Sequence, residues 1–275
     1  MVREKNQGKR KVQQRRGKKM IYTILGILIA VVILIVAVIA INSNKNVKAM
    51  NACVDAVLEK IEENYTATRM NAGDYEELKI YGLMKFKVEQ YDIEDLGNLS
   101  VMRVNMGFMQ MATVVITPKD KNVPLLSADY MYIMGNRKAY LEFYDVVKEK
   151  DTQYKELLNA LADAKSNWEH LENITPSKAW YEHLLTVTTY KAGKADADKD
   201  LENMLVESLG IYLEKSKEFP MLTEDERQEK IAISRDYTNG LIEKGGISTD
   251  VFKKALGEDV TRDFFDKVFF GTMVQ

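Results

Sequence analysis

The sequence is poor in the residues that build disulfides and metal sites. Cys53 is the only cysteine in 275 residues, and His170 and His183 are the only histidines. A single cysteine excludes an internal disulfide, which fits a cytosolic protein and also the bacterial surface proteins that use no disulfides. Two histidines without a cysteine pair are too few for a typical zinc site. The sequence also lacks a P-loop, a glycine-rich dinucleotide turn and a serine nucleophile elbow.

Acidic residues outnumber basic residues outside the first 19 positions. Nine of the 39 Lys and Arg residues lie there beside one acid, Glu4, so the rest of the chain carries 30 basic and 40 acidic side chains. Contact with the phosphate backbone of nucleic acid requires a basic surface. The acidic body therefore argues against nucleic acid as a partner.

Residues 20–41 contain no charged side chain. At about 1.5 Å per residue in a helix, this run matches a hydrocarbon core of about 30 Å. A signal-peptide core is usually shorter and ends in a small-x-small cleavage site, and residues 37–41 form a poor one. We therefore predict an uncleaved transmembrane helix over 20–41. A cleaved signal peptide and a buried soluble helix are the alternatives.

The flanks of this run predict its orientation. The basic tail of residues 1–19 precedes it, and only Lys45 and Lys48 follow closely. The positive-inside rule places residues 1–19 in the cytoplasm. A domain of residues 42–275 is then expected on the far side of the cell membrane.

Hydrophobic periodicity divides the body into a strand-rich first half and a helix-rich second half. After a polar linker over 42–46 and a helix over 47–65, we expect a loop over 66–74. The short connections between the following strands predict an antiparallel meander. The strands are expected over 83–89, 99–106, 109–117, 124–135, 138–144 and 184–190. The helices are expected over 152–165, 176–180, 198–217, 223–244, 248–257 and 261–270, which together predict one α+β domain.

The fourth predicted strand carries a carboxylate, Asp129, in the middle of an apolar run. Burial would raise the pKa of this carboxyl and make it a proton donor near neutral pH. The alternative is a structural carboxylate at a strand end, capped by backbone amides. Buried acids serve both purposes, so the residue alone leaves both open.

Methionine is concentrated in the predicted sheet. Core packing is the usual role of such residues, and a flexible pocket wall for a flat apolar ligand is the alternative. The methionines concerned are Met102, Met106, Met109, Met111, Met131 and Met134.

Two parts of the sequence resemble one enzyme family. The first is Pro-Leu-Leu-Ser-Ala-Asp at 124–129, and the second is the last stretch of the chain, with Arg-Asp-Tyr at 235–237 and the segments 251–258 and 264–270. In this order and spacing they resemble the ferredoxin-dependent bilin reductases, the phycocyanobilin and phytochromobilin synthase family, over about residues 83–271.

The resemblance implies an α/β/α sandwich with a central antiparallel sheet of about six strands. It implies that a bilin binds between the sheet and the C-terminal helices, that no metal or flavin is bound, and that electrons arrive singly from an external donor of the ferredoxin or flavodoxin type. Asp129 would be the central proton donor.

The sequence departs from the family at its other acid–base positions. Ala112 stands twelve positions before the proline, where some members have a catalytic histidine. Gly245, Gly246 and Ile247 stand where the family often has an Asn or Asp and a Lys. Only Asp129 is retained of the acid–base set.

Further pocket residues are expected near Asp129. Arg103 and Asn105 alternate with apolar residues, so they share one face of their strand. We predict that they line a substrate pocket together with Ala112, Ser127 and Met131.

The first functional hypothesis is therefore a membrane-anchored, bilin-reductase-like oxidoreductase that reduces a linear tetrapyrrole or a similar flat apolar ligand. The alternative is a domain of the same fold that binds such a ligand without reducing it. A third hypothesis is a membrane-tethered interaction domain. The predicted outward orientation and the acidic body both argue against an acidic ferredoxin as the electron-transfer partner.

Overall fold

The computed structural model describes residues 2–82 and 84–273, with their side chains except those of residues 2–19, Ile21 and Ile247. Met1, at the start of the predicted basic tail, and Leu83, at the start of the strand predicted over 83–89, lie outside the described residues. So do residues 274–275.

Six α-helices occur in the described chain. They are α1 (Val2–Glu62), α2 (Thr152–Ser166), α3 (Asp198–Glu218), α4 (Glu224–Lys244), α5 (Ile247–Leu256) and α6 (Glu258–Phe264), and a π-helical turn over Phe265–Phe269 follows α6. Short 3-10 turns cover Gly73–Glu76, Glu182–Leu184 and Ala195–Ala197.

Nine strands occur in the same described residues and form one sheet. They are β1 (Ala67–Met70), β2 (Glu77–Ile80), β3 (Met84–Ile93), β4 (Gly97–Asn105), β5 (Met109–Pro118), β6 (Leu125–Ile133), β7 (Asn136–Tyr144), β8 (Glu172–Asn173) and β9 (Leu185–Lys194). The strand order is β1-β3-β4-β5-β6-β7-β9-β8, with β2 also paired to β3, and the neighbouring strands are antiparallel.

The predicted α+β architecture with an antiparallel sheet between helical layers is confirmed. The expectation of about six strands was too low for the described chain. The additional strands β1, β2 and β8 have only four, four and two residues. Such short segments at the sheet margin are too brief to show a two-residue hydrophobic alternation.

Two apolar cores lie on opposite faces of the sheet. On one side, here called the α1 face, the second half of α1 packs with α2 and α3 against buried residues of the central strands, among them Ala128 and Tyr130. On the other side, the α4 face, residues of α4, α5 and α6 pack against β2–β4 and the ends of β6 and β7. Successive residues of each strand therefore point to different cores.

The helix α1 runs without interruption through the predicted polar linker at 42–46. Ser43 and Asn46 are buried there and are hydrogen-bonded with Gln110 of β5. These tertiary hydrogen bonds satisfy the polar side chains of this segment. The segment is therefore helical, although its polarity predicted a linker. Within the described residues, one helix is apolar enough by length and composition to cross a membrane, and a signal sequence would meet the same criteria.

Local signals fix several helix ends. Asp151 caps α2 by accepting a bond from the Tyr154 backbone N–H at 2.7 Å. Thr223 and Glu226 form a capping box at the start of α4. The helix α4 stops at Gly245, whose φ of 90° favours glycine.

The segment 176–180 was predicted to be helical and is not. Trp180 there donates a hydrogen bond of 2.9 Å to the carbonyl of Gly245 and packs against Gly240 of α4. These long-range contacts hold the segment against α4 in a non-helical conformation. The proline at the start of the segment suits the first turn of a helix, but this preference is weaker than the contacts. The loop predicted over 66–74 was also incomplete, because it contains β1.

Candidate functional site

Asp129 lies in the centre of β6 on the α4 face of the sheet. Its cross-strand neighbours are Thr113 on β5 and Tyr140 on β7, and Tyr140 is paired in turn with Tyr190 on β9. Asp129, Tyr140 and Tyr190 are half-buried, whereas Thr113 is buried. This row of four side chains crosses four adjacent strands at one level.

The environment of Asp129 favours the neutral carboxyl. Burial raises the pKa of Asp129 from its ordinary value of 3.8 to about 6. Thr113 opposes this rise because its hydroxyl donates a hydrogen bond of 2.5 Å to Asp129 Oδ1, and the negative charge of Glu142 adds to the rise. An acid with this pKa is partly protonated near neutral pH, as a proton donor must be.

Glu142 is the second carboxylate of this face. It is paired in register with Ser127, so it lies one pleat along β7 from Tyr140. The Tyr190 hydroxyl donates to Glu142 Oε1 at 2.8 Å, and the Tyr144 hydroxyl donates to Glu142 Oε2. Two tyrosine donors therefore hold Glu142 while Asp129 has one hydroxyl donor.

Aromatic side chains form one wall of the site. The Tyr144 ring lies 4.8 Å from that of Tyr237 on α4 and 5.8 Å from that of Tyr181. Burial is the largest effect that raises the pKa of Tyr181, and the nearby charges of Glu142 and Asp129 raise it further. The tyrosines thus stay protonated near neutral pH, as hydrogen-bond donors with flat apolar rings.

The C-terminal helices cover the α4 face over only part of its width. Phe252 of α5 packs against Phe86 of β3 in a tilted arrangement with ring centroids 5.1 Å apart, and Ser100 of β4 donates to the Val268 carbonyl at 2.7 Å. Over the middle of β5–β7 several side chains on this face are only half-buried, namely Met111, Ser127, Asp129, Met131 and Tyr140, whereas Thr113 and Val115 are buried. The sheet is therefore partly accessible beside Asp129.

The structure brings Ser127 and Met131 together with Asp129, because all three have odd numbers on the same strand and point to the α4 face. Arg103 and Asn105 lie on the same face of β4, as predicted, but that face is opposite to the one that carries Asp129. The register pairs Arg103 with Ala112 and Ala112 with Tyr130, whose side chain belongs to the α1 core.

A single pocket on one sheet face consequently cannot contain Asp129 together with Arg103, Asn105 and Ala112. Arg103 forms an ion pair with Glu89 at 2.5 Å, and Asn105 accepts a hydrogen bond from Gln110 at 2.8 Å. Ala112 is buried in the α1 core. The prediction of a common pocket assumed that Arg103, Asn105 and Ala112 lie on the same sheet face as Asp129. The observed strand register places them on the opposite face.

Sequence reasoning missed Thr113, Tyr140, Glu142 and Tyr190. A usable signal was present, since Tyr140, Glu142 and Tyr144 alternate along β7 and mark one face. Linking that face to Asp129 requires the hairpin register, in which Ile133 pairs with Asn136 around a turn at residues 134–135.

The donor set of the site suits an organic ligand better than a metal ion. Among the described residues, no group of three or more His, Cys, Asp or Glu side chains is arranged to hold a metal ion. The face beside Asp129 offers flat rings, thioethers, hydroxyl donors and the carboxyl groups of Asp129 and Glu142. This set can contact a flat apolar molecule and deliver a proton to it.

Comparisons with known proteins identify a fold neighbour. No family model matches the sequence, and no curated protein matches it. Among solved structures, phytochromobilin synthase from tomato in complex with biliverdin matches with a TM-score of 0.65 and 13% sequence identity, over 81% of this chain and 83% of that chain. The chain therefore shares the fold of that protein.

Proposed function

We propose that this protein binds a linear tetrapyrrole, or a ligand of similar flat apolar shape, on the α4 face and reduces it with Asp129 as the proton donor. The position of Asp129 carries the proposal. It is a carboxyl with a pKa of about 6, half-buried among tyrosine and methionine side chains. The fold neighbour was solved with biliverdin, which supports a ligand of this class.

Reduction of one double bond of such a ligand consumes two electrons and two protons. In the proposed reaction, an external low-potential one-electron donor supplies the electrons one at a time and is oxidised. The Asp129 O–H bond breaks as a proton passes to the ligand, and solvent reprotonates the carboxylate before the second transfer. Partial exposure of Asp129 permits this exchange with solvent.

Neighbouring residues support this role in two ways. Thr113 fixes the orientation of Asp129, and Glu142 raises the pKa of Asp129 through its negative charge. Ser127 and Met131 flank Asp129 on the same strand face and are proposed to contact the ligand. Arg103, Asn105 and Ala112 have no part in this proposal, because they face the other core.

We further propose that residues 20–41 anchor the protein in the cell membrane, with the N-terminus in the cytoplasm and the domain on the far side. The described side chains at 20–38 are exposed although nearly all of them are apolar, and water would penalise that exposure. The same helix continues into the core at Val54 and Val57. Reporter fusions at the two ends of the chain would test this orientation.

The direct test of the reaction uses the full-length protein in detergent micelles. Biliverdin is the probe, and a chemically reduced ferredoxin is the electron donor under anaerobic conditions. We expect the visible absorbance of bound biliverdin to be lost in the wild-type protein. Asp129→Asn should keep binding and lose turnover at least about 100-fold, the usual scale for a lost general acid.

The matched control is Asp95→Asn, the same change at an exposed turn between β3 and β4. It should leave binding and turnover unchanged. Turnover that survives in Asp129→Asn would overturn the assignment of the proton donor. A stable biliverdin complex without turnover in the wild-type protein would instead support ligand binding without reduction.

A further inference from the structure

The end of the apolar run on α1 lies against the tip of a β-hairpin. A Cβ atom at Gly107, in the β4–β5 turn, would lie 3.9 Å from Ile39 Cγ2. Ile39 belongs to the apolar run at 20–41, and it is half-buried whereas the described run before it is almost wholly exposed. The β4–β5 turn is therefore level with the last turn of the apolar run.

A buried polar network fixes this arrangement. Gln110 of β5 donates to Asn105 Oδ1 and to the Gly107 carbonyl, both at 2.8 Å, and accepts a bond of 2.8 Å from Asn46 of α1. It also donates to Ser43 Oγ at 3.1 Å. Because Gln110 and Asn46 are almost fully buried, breaking this network to swing α1 away would leave polar groups without partners. The orientation of the apolar helix relative to the sheet is thus set.

Three turns lie along the same edge of the sheet, here called the proximal edge. They are the β2–β3 turn with Tyr81, the β4–β5 turn with Phe108, and the β6–β7 turn with Met134. The Met134 backbone N–H donates to the Phe108 carbonyl at 3.1 Å, which joins two of the turns. Tyr81 and Phe108 are 57% and 53% exposed. Two aromatic side chains therefore project from the edge beside the apolar run.

The charges at the two ends of the sheet differ. Exposed lysines flank the proximal edge, namely Lys45, Lys79, Lys85, Lys138 and Lys194. The carboxylates there include Glu77, which is ion-paired with Lys85, Asp198, which is ion-paired with Arg137, and the exposed Asp196. At the opposite end, Asp92 near the end of β3 and Glu94 and Asp95 in the β3–β4 turn are exposed acids.

We propose that the proximal edge lies on the surface of the lipid bilayer that holds residues 20–41, with Tyr81 and Phe108 in the interfacial layer and the flanking lysines on anionic headgroups. Aromatic rings and lysine side chains are the groups that favour this layer. The inference rests on the proposed membrane anchor and is independent of the ligand chemistry. The acidic opposite end then points away from the membrane.

This orientation gives an apolar ligand a route to the candidate site. Met109, Met111 and Met131 lie on the α4 face between the proximal edge and Asp129, and all three are half-buried. Asp129 is four residues from the end of β6, a distance of about 13 Å along a strand. A ligand that partitions into lipid can therefore reach Asp129 along methionine side chains without crossing the acidic surface.

The test uses the full-length protein reconstituted into vesicles. Phe108→Cys and Tyr81→Cys each carry an environment-sensitive fluorophore, and Glu94→Cys at the opposite end is the matched control. The native Cys53 is buried, and the labelled wild-type protein measures its background reaction. We expect emission at shorter wavelength, and quenching by spin-labelled lipids, at positions 81 and 108 but not at 94.

Varying the lipid composition of the vesicles distinguishes a bilayer from other partners that could cover the proximal edge. The emission shift at 108 should be larger in vesicles of phosphatidylcholine with phosphatidylglycerol than in phosphatidylcholine alone, and salt should reduce it. Labels at 81 and 108 that remain as exposed to water as the label at 94 would overturn the proposal. So would a shift that follows the protein-to-lipid ratio, which would indicate a second copy of the chain. Biliverdin binding in micelles is measured separately, so the two proposals can fail independently.

Discussion

Thr113 and Asp129 lie directly opposite each other on β5 and β6, and the Thr113 hydroxyl donates a hydrogen bond of 2.5 Å to Asp129 Oδ1. This bond lowers the pKa of Asp129 against the larger effect of burial. The proton affinity of the carboxyl is thus a balance between desolvation and one neighbouring hydroxyl.

Thr113→Val should raise the pKa of Asp129 above about 6. A hydrogen bond to a charged group contributes about 1.5–3 kcal/mol, which corresponds to about one to two pKa units. The measurement is the pH dependence of biliverdin turnover, whose upper limb should move to higher pH. Thr117→Val is the matched control on the same strand and face, because the buried Thr117 hydroxyl has no hydrogen-bond partner among the described residues. An unmoved profile in Thr113→Val would argue against Asp129 as the titrating group.

Glu142→Gln should have the opposite effect on Asp129. The charge of Glu142 raises the pKa of Asp129, so removing it should lower that pKa by about one unit or less, as expected for partly screened charges. The upper limb of the turnover profile should move to lower pH. A shift in the same direction as that of Thr113→Val would contradict the electrostatic account of the pair.

The stability of the protein should reveal the raised pKa of Asp129 without any ligand. The folded pKa of about 6 exceeds the ordinary value of 3.8, so the folded state binds more protons between these values. Stability from this group is then fully present below about pH 4 and declines as the pH rises through about 6. The contribution is at most about 3 kcal/mol, and partial exposure of the side chain reduces it.

Asp129→Asn removes this titration and should flatten the corresponding part of the stability curve. Denaturant unfolding in micelles at several pH values between 4 and 8 measures the difference between the two proteins. The variant should gain stability relative to the wild-type protein as the pH rises. A constant difference across this range would show that the folded state leaves the carboxyl unperturbed.

Gly240→Ala should displace Trp180 from α4. A Cβ atom at Gly240 would lie 2.2 Å from Trp180 Cη2, which forces the indole away from its bond with the Gly245 carbonyl. We expect a loss of about 1–3 kcal/mol, as is usual for overpacking. Gly210→Ala in α3 is the control, because its nearest neighbour is Lys60 Cδ at 3.6 Å. That change should be neutral or stabilising by up to about 1 kcal/mol. Thermal unfolding compares the two variants, and equal effects would contradict this packing.

The sequence predicted the central strands and the long helices because each carries enough periodic apolar residues to show its pattern. The alternation of Met84, Phe86 and Val88 marks β3, and Leu201, Leu205 and Leu209 mark α3. The two-residue strand β8 has no such pattern of its own, and its pairing with β9 holds it in the sheet. The helical linker at 42–46 likewise depends on partners far away in sequence, such as Gln110.

The candidate site was predicted less completely than the fold. Asp129 could be recognised from the sequence alone, because a carboxylate is unusual within an apolar strand. Arg103 was assigned to the wrong side relative to Asp129, because strand faces follow from pairing register and a shift of one residue exchanges them. Glu142 and Tyr190 could not be linked before β7 and β9 were known to be neighbours.

The most direct test of the account is an absorbance titration of the full-length protein with biliverdin, comparing Ser127→Leu with Ser248→Leu. Ser127 lies on the face beside Asp129, whereas Ser248 is exposed in the first turn of α5. We predict saturable binding of biliverdin to the wild-type protein and to Ser248→Leu, with affinity at least about tenfold weaker in Ser127→Leu, a change of about 1.4 kcal/mol. No spectral change in the wild-type protein, or equal affinity in both variants, would contradict a ligand site on this face.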